Sequence, residues 1–295
     1  MKRGLLLCLG LTVTGLAAGW ALTRPARIDP DVIGQLQPDP DNGALVFAAM
    51  GCASCHAAPE DGVDGELPGG KIFATEFGSF SAPNISPDPE FGIGNWSDPD
   101  IANAVLHGTS PEGQHYYPAF PYTAYQNAAP QDIVDLIAHL RSLPPMSTPS
   151  QPHDLAFPFN IRALMGPWKL LFAQPGWVVE TDLTAEEARG RYLVEALGHC
   201  GECHTPRNLL GGLERDQWLT GAANPSGTGH IPGITSDTLD WSESDLAYFL
   251  TSGFTPDFDT AGGSMVEVIE NLAKLPEDDV AAIAAYLKSV PGKSQ

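Results

Sequence analysis

Basic residues are scarce in this chain. Its 295 residues contain 15 Lys or Arg against 36 Asp or Glu, and the formal net charge is −21. A surface of this kind repels nucleic acid and anionic lipid headgroups, whereas it attracts a basic patch on a protein partner. The composition therefore excludes nucleic acid as an expected partner. It fits a protein partner and simple solubility of an exported protein equally well.

Cysteine is scarce as well, with five in the chain. Four of them form two Cys-x-x-Cys pairs that are each directly followed by a histidine: Cys52, Cys55 and His56, and Cys200, Cys203 and His204. This is the attachment pattern for c-type haem. Two thiols three positions apart can each form a thioether to a haem vinyl group, and the next residue places an imidazole under the iron. We therefore predict two covalently bound haem c groups with His56 and His204 as proximal iron ligands.

Two other uses of paired cysteines fit less well. A zinc site needs a second pair of ligands at a matching distance, and neither His153 nor His199 completes one. A redox dithiol is expected beside a βαβ pattern, and no segment of this sequence shows convincing strand alternation. Two copies of the motif also argue against a chance match.

The lack of strand alternation predicts a mainly α protein, built from two units that resemble repeats of each other. In each unit a Trp-Ser pair begins a helical pattern that ends at a glycine 12 positions later, from Trp96 to Gly108 and from Trp241 to Gly253. Each unit closes with an amphipathic helix, at 132–142 and at 277–289, where acidic residues begin the helix and a proline follows its end.

The chain begins with a segment typical of export. Lys2 and Arg3 precede an apolar run at residues 4–22. The run is either a cleaved signal peptide or a retained helix, since its 19 residues approach the ~20 that span a bilayer. Trp20 stands where an interfacial anchor is useful, and we favour the retained anchor.

The sixth iron ligand decides whether each haem is closed to substrates. Met265 lies in the loop before the last helix, and we predict that it ligates the second haem. The matching region of the first unit, 122–130, has no methionine. His115 is the better candidate for the distal ligand of the first haem and His107 the weaker one; a water-ligated or five-coordinate iron is the other option.

Two further groups have candidate roles beside the motifs. A proximal histidine needs an acceptor for its second ring nitrogen, and the backbone carbonyls of Pro59 and Pro206 are candidates because each proline follows a motif. An equally good interpretation is that these prolines turn the chain. Arg207 is a candidate partner of a haem propionate, with simple solvent exposure as the alternative.

Several stretches go beyond these patterns, at residues 77–78, 83–88, 92–97, 117–122, 203–208 and 265–291. In them the chain resembles the multihaem cytochrome c subunits of membrane-bound bacterial alcohol and gluconate dehydrogenases. The resemblance implies class I cytochrome c folds, here two in tandem, and the 31 Gly and 27 Pro predict long Pro/Gly-rich loops in them. It also implies a location on the periplasmic side of the inner membrane, electron transfer from a dehydrogenase toward quinone or an oxidase, and Met265 as an axial ligand.

The chain departs from those relatives in two ways. They carry three haem motifs, and this chain has two. They also tend to have a methionine where Ala128 stands here, and they can have a histidine in the loop of His115 besides that methionine. The second difference leaves the first haem without its expected ligand and weakens the case for His115.

These observations predict the following layout: an anchor or signal segment at 1–22, a tether at 23–40, haem domains at 41–146 and 181–295, and a Pro-rich connecting segment at 147–180 packed along both. We expect a dihaem relay for single electrons whose partners are a dehydrogenase, an oxidase or another cytochrome. The alternative is a dihaem enzyme, peroxidase-like or thiosulfate-oxidising, that uses an open first haem. A haem sensor would need an output domain, and no sequence is left for one.

Overall fold

A computed structural model describes residues 14–15, 18–58, 65–224 and 229–292. The described residues are mostly helical, as predicted, with a few short strands. None of their helices is long and apolar enough to cross a membrane. Most of the predicted anchor lies outside the described residues, and so do residues 59–64.

The helices before the connecting segment are α1 (Pro30–Gly34), α2 (Pro40–Ala49), α3 (Cys52–His56), α4 (Asp98–His107), α5 (Tyr122–Tyr125) and α6 (Pro130–Ser142). Those that follow are α7 (Met165–Phe172), α8 (Ala185–Arg191), α9 (Gly201–His204), α10 (Glu243–Ser252), α11 (Met265–Leu272) and α12 (Glu277–Ser289). A π-helix at Tyr192–Leu197 continues α8, and 3-10 turns occupy Arg162–Leu164 and Arg215–Gln217.

The same helix crossing occurs in both halves of the chain. The helix before each motif packs on the terminal helix of its half, α2 on α6 and α8 on α12. Each crossing is tight enough to need a glycine. A Cβ on Gly43 would lie 2.0 Å from the Asp135 carbonyl oxygen, and one on Gly190 would lie 1.9 Å from that of Ala282. The buried core side chains gather along these crossings.

The helices α4 and α10 begin and end as their sequences predict. Ser97 and Ser242 each form a capping box, with Asp100 and Asp245 three residues on. Each helix stops where its glycine adopts a left-handed conformation. The two helices therefore hold equivalent places in the two halves.

Short strands escaped prediction because they have at most four residues each. The strands β1 (Ile72–Thr75) and β2 (Gly78–Ser81) form an antiparallel hairpin in which Ile72 faces Ser81 and Thr75 faces Gly78. The strand β3 (Asp154–Leu155), from the connecting segment, extends this sheet. A second pair joins β4 (Ala222–Ala223) and β5 (His230–Ile231). None is long enough to display an alternating pattern.

The connecting segment packs along both halves. The Asn84 side chain donates to the carbonyls of Met146 and Thr148. Lys169 on α7 donates to the carbonyls that end α4. Further on, Arg215 donates to the Gln174 carbonyl, which ties the segment to the second half. The positions of the domain boundaries at 146 and 181 stay predictions.

Candidate haem sites

The first Cys-x-x-Cys-His motif forms the short helix α3. Gly51 precedes it in the left-handed conformation, with φ of 61°, and so turns the chain from α2 into the motif. The His56 Nδ1–H donates to the Pro83 carbonyl oxygen at 2.8 Å. That bond fixes the tautomer and leaves Nε2 with the lone pair that an iron would take. Burial lowers the pKa of His56, which keeps the imidazole neutral, as ligation requires.

The second motif has the same arrangement. The His204 Nδ1–H donates to the Pro232 carbonyl oxygen at 2.8 Å, and burial lowers the pKa of this histidine as well. The acceptors are thus proline carbonyls that lie 27 and 28 residues after their histidines. The prediction that Pro206 serves His204 was wrong, because its carbonyl accepts instead from the Glu214 amide. Pro59 lies outside the described residues.

The four motif thiols fit the chemistry of thioether formation. None of them is paired in a disulfide within the part of the chain that the structure describes. Burial raises the pKa of Cys52 and Cys200 to about 12, so both are protonated thiols at neutral pH. Free thiols beside a neutral imidazole, repeated in both halves, are the donor set that covalent haem attachment needs.

The two motifs lie close to one another. Burial is the main cause that raises the pKa of Cys55, and Cys203 of the other motif raises it further. Helix α5 bridges them, since Thr123 donates to the Glu202 carboxylate at 2.8 Å and the Tyr125 hydroxyl donates to the Met50 carbonyl at 3.0 Å. Burial is the main cause that raises the pKa of Tyr125. Cys52 and Cys55 of the first motif and Glu202 of the second raise it further.

Met265 is the first residue of α11 and is half-buried against the core. The same helix reaches the first motif, where the Asn271 amide donates to the Ser54 hydroxyl at 2.8 Å. Glu267 forms an ion pair with Lys71, which also donates to the Ser54 carbonyl. The described residues show no hydrogen bond or ring contact between Met265 and His204, so its role as an axial ligand stays a prediction.

His115 is buried, and its ring faces the tether. The Nε2–H donates to the Thr23 carbonyl at 3.0 Å, while Nδ1 is buried and has no hydrogen-bond partner among the described residues. Burial and the nearby Lys169 lower its pKa. His107, at the end of α4, also has a lowered pKa, mainly through burial. Neither histidine forms a hydrogen bond or ring contact with His56 within the described ranges.

Arg207 already has partners in the protein. Its guanidinium forms an ion pair with Glu202, which lies inside the second motif, and donates to the Gly211 carbonyl. The ion pair anchors the turn that follows the motif. The Arg207 guanidinium is therefore held by the Glu202 carboxylate and the Gly211 carbonyl and is not free in solvent.

Comparisons with known proteins identify the family of the chain. The cytochrome c family model matches residues 40–144, which places the chain in the class of c-type cytochromes. A dihaem c-type cytochrome of Cereibacter sphaeroides is 54% identical over 99% of both chains. The chain belongs to this family of dihaem c-type cytochromes.

Other relatives are longer, and the chain matches only part of their length. The cytochrome subunit of fructose dehydrogenase from Gluconobacter japonicus is 37% identical over 97% of this chain and 59% of its own length. A nicotinate dehydrogenase subunit from Pseudomonas putida is 39% identical over 86% of this chain and 22% of its own length. Cytochrome c subunits of gluconate and alcohol dehydrogenases also match, which confirms the resemblance inferred from the sequence.

Proposed function

We propose that this protein relays single electrons through two haem c groups, between a partner dehydrogenase or quinol-oxidising complex and a downstream acceptor. The main support is that the two attachment motifs lie close together with α5 between them: Thr123 donates to Glu202 of the second motif, and Tyr125 donates to the Met50 carbonyl just before the first motif. When bound, haem supplies reversible one-electron chemistry. The relatives that are cytochrome subunits of dehydrogenases support a partner of that kind.

Each residue of the sites has a distinct part in this proposal. The four motif cysteines would hold the haems by thioethers, and His56 and His204 would present Nε2 to the iron. Pro83 and Pro232 keep both imidazoles in the required tautomer. Met265 is proposed as the sixth ligand of the second haem, in two tandem class I cytochrome c domains.

We place the protein on the periplasmic side of the inner membrane. The apolar run at 4–22 is one support for this location. The connecting segment is another, because residues 155–179 contain no Asp or Glu in a chain with 36 of them. They expose apolar side chains instead, with Phe157 79% and Leu171 64% exposed. Apolar residues with a few basic neighbours suit a membrane surface. Cell fractionation should find the protein in the inner membrane and open to protease from the periplasm.

The haem content tests the dihaem basis of this proposal. Purified protein should show a c-type spectrum with two haems per chain that resist acid-acetone extraction. His56→Ala and His204→Ala should each perturb one haem and leave the other reducible. One haem per chain, or haem that is extracted by acid-acetone, would overturn the proposal.

A further inference from the structure

Two loops of the molecule have the same pattern of backbone hydrogen bonds. The first copy follows α4 and the second follows α10. A backbone bridge closes each loop, between Thr109 and His115 in the first and between Phe254 and Thr260 in the second. A turn lies inside each, where the Gly113 amide donates to Ser110 and the Phe258 amide donates to Thr255. Equivalent residues can therefore be compared directly.

The first loop is covered by the tether of the same chain. Arg27 donates to the Pro111 carbonyl at 3.0 Å, and the Ile28 amide donates to the Asn103 side chain at 2.6 Å. His115 donates to the Thr23 carbonyl. The groove between α4 and its loop thus holds residues 23–28, which read Thr-Arg-Pro-Ala-Arg-Ile and have no regular secondary structure from Pro25 to Ile28.

Among the residues that the structure describes, no segment covers the equivalent groove of the second half. It forms a cleft of about 380 Å³ lined by Asp245, Tyr248, Phe254, Thr255, Pro256 and Phe258. Tyr248 stands where Asn103 stands in the first half, and Pro256 stands where Pro111 stands. The side chains of Tyr248, Phe254 and Phe258 are 59%, 50% and 95% exposed. Three aromatic side chains are thus presented to solvent where the other half is covered.

Phe258 is strained as well as exposed. It adopts φ of 63°, in the left-handed region, where its counterpart Gly113 has φ of 76°. A bulky side chain is rare in that region, because Cβ approaches the following carbonyl oxygen. Because Phe258 is 95% exposed, packing of its ring does not offset this backbone strain. Strain of this kind at an exposed aromatic residue points to binding, since aromatic side chains anchor protein interfaces.

We propose that this aromatic groove binds an extended, arginine-bearing segment of the redox partner protein. Asp245 lines the groove and Asp257 and Asp259 lie in its loop, so the charge complements a basic segment. A guanidinium can stack on the Phe258 ring, because Phe258 stands where Gly113 lies beside the Arg27 guanidinium in the first half, 3.5 Å from an added Cβ.

The groove is well placed for electron transfer to the second haem. Gly253 ends α10, and its added Cβ would be 3.9 Å from Ile269 of α11, the helix that begins at Met265. A partner bound in the groove would lie near the helix that begins with the proposed axial ligand, Met265. In this respect the inference rests on the proposed function, although the groove itself does not.

A peptide with the sequence Thr-Arg-Pro-Ala-Arg-Ile, labelled with a dye, is the binding probe. Fluorescence anisotropy with the full-length haem-loaded protein should show saturable binding that weakens as salt is raised. Phe258→Gly should weaken binding at least about tenfold, a difference of ~1.4 kcal/mol, while thermal stability stays equal or rises because the strain is removed. Replacing the second arginine of the peptide by glutamine should weaken binding similarly.

Leu209→Gly is the matched control, because Leu209 is 94% exposed on another loop. It should bind the peptide as the wild type does. Absence of saturable binding, or equal affinity of wild type and Phe258→Gly, would overturn the proposal. Haem content and reducibility, measured on the same samples, report separately on the relay function.

A photo-crosslinking residue in place of Phe258 then tests the partner in the producing cells. The expected product joins position 258 to an extended arginine-bearing segment of a redox protein, identified by mass spectrometry of the linked peptide. Cross-links to lipid or to a second copy of this chain would contradict the assignment.

Discussion

The Asn271 amide donates to the Ser54 hydroxyl at 2.8 Å, although the two residues are 217 positions apart. Ser54 lies between the two cysteines of the first motif, and Asn271 lies on the helix that begins at Met265. The ion pair between Lys71 and Glu267 flanks this bond. The second half of the chain therefore contacts and stabilises the first haem motif directly. Substitutions in α11 should change the environment of both haems.

Asn271→Ala tests this support. Asn271 is buried, and its loss leaves Ser54 without its side-chain partner. We expect a loss of about 1 kcal/mol in the free energy of unfolding, measured by urea denaturation. The spectrum of the first haem should shift. Glu270→Ala, on the exposed face of the same helix, is the control and should change neither. An unchanged urea midpoint for Asn271→Ala would count against the contact.

The sequence predicted the parts of the site that are local. The motif residues, the amphipathic helices α6 and α12, and the starts and ends of α4 and α10 follow from patterns within a few turns of chain. The Pro83 and Pro232 carbonyls, which accept from the two histidines, could not be predicted in this way. Each is brought to its histidine by a loop of 27 or 28 residues. No local pattern marks such a contact, although a proline at nearly the same spacing after each motif, 27 and 28 residues, was a usable signal.

The glycines at the two helix crossings give a stability prediction. Gly43→Ala and Gly190→Ala would place Cβ about 2 Å from a carbonyl oxygen of the facing helix, so each should cost roughly 1–3 kcal/mol or more through forced separation of the helices. Thermal unfolding measures the loss. Gly34→Ala is the control, because a Cβ there meets nothing within 4 Å. It should be neutral or gain up to about 1 kcal/mol from helix propensity.

Lys169 should make stability depend on pH. Burial lowers the pKa of its ammonium to about 8, against 10.5 in the unfolded chain. Between these values the unfolded state binds more protons than the native state, so this group makes the native state more stable as pH rises from 8 toward 10. Below pH 8 both states are charged and the desolvation cost is fully present.

The Lys169→Met variant isolates that effect. The difference in unfolding free energy between wild type and variant should move in favour of the wild type between pH 7.5 and 10. Urea midpoints at several pH values measure this difference. Tyrosines that titrate in the unfolded state contribute equally to both proteins, so their contribution cancels in the difference. A constant difference across the range would show that Lys169 is not the titrating group.

His115→Ala separates the two interpretations of the first haem. Because Nε2 of His115 is bound to the Thr23 carbonyl, we expect the ligation state of the first haem to be unchanged by electron paramagnetic resonance. The tether should loosen instead, with faster protease cleavage near Arg24 and Arg27. A low-spin signal that becomes high-spin in the variant would establish His115 as the distal ligand. Rapid binding of carbon monoxide by the wild type would instead indicate an open first iron and favour the dihaem enzyme over the relay.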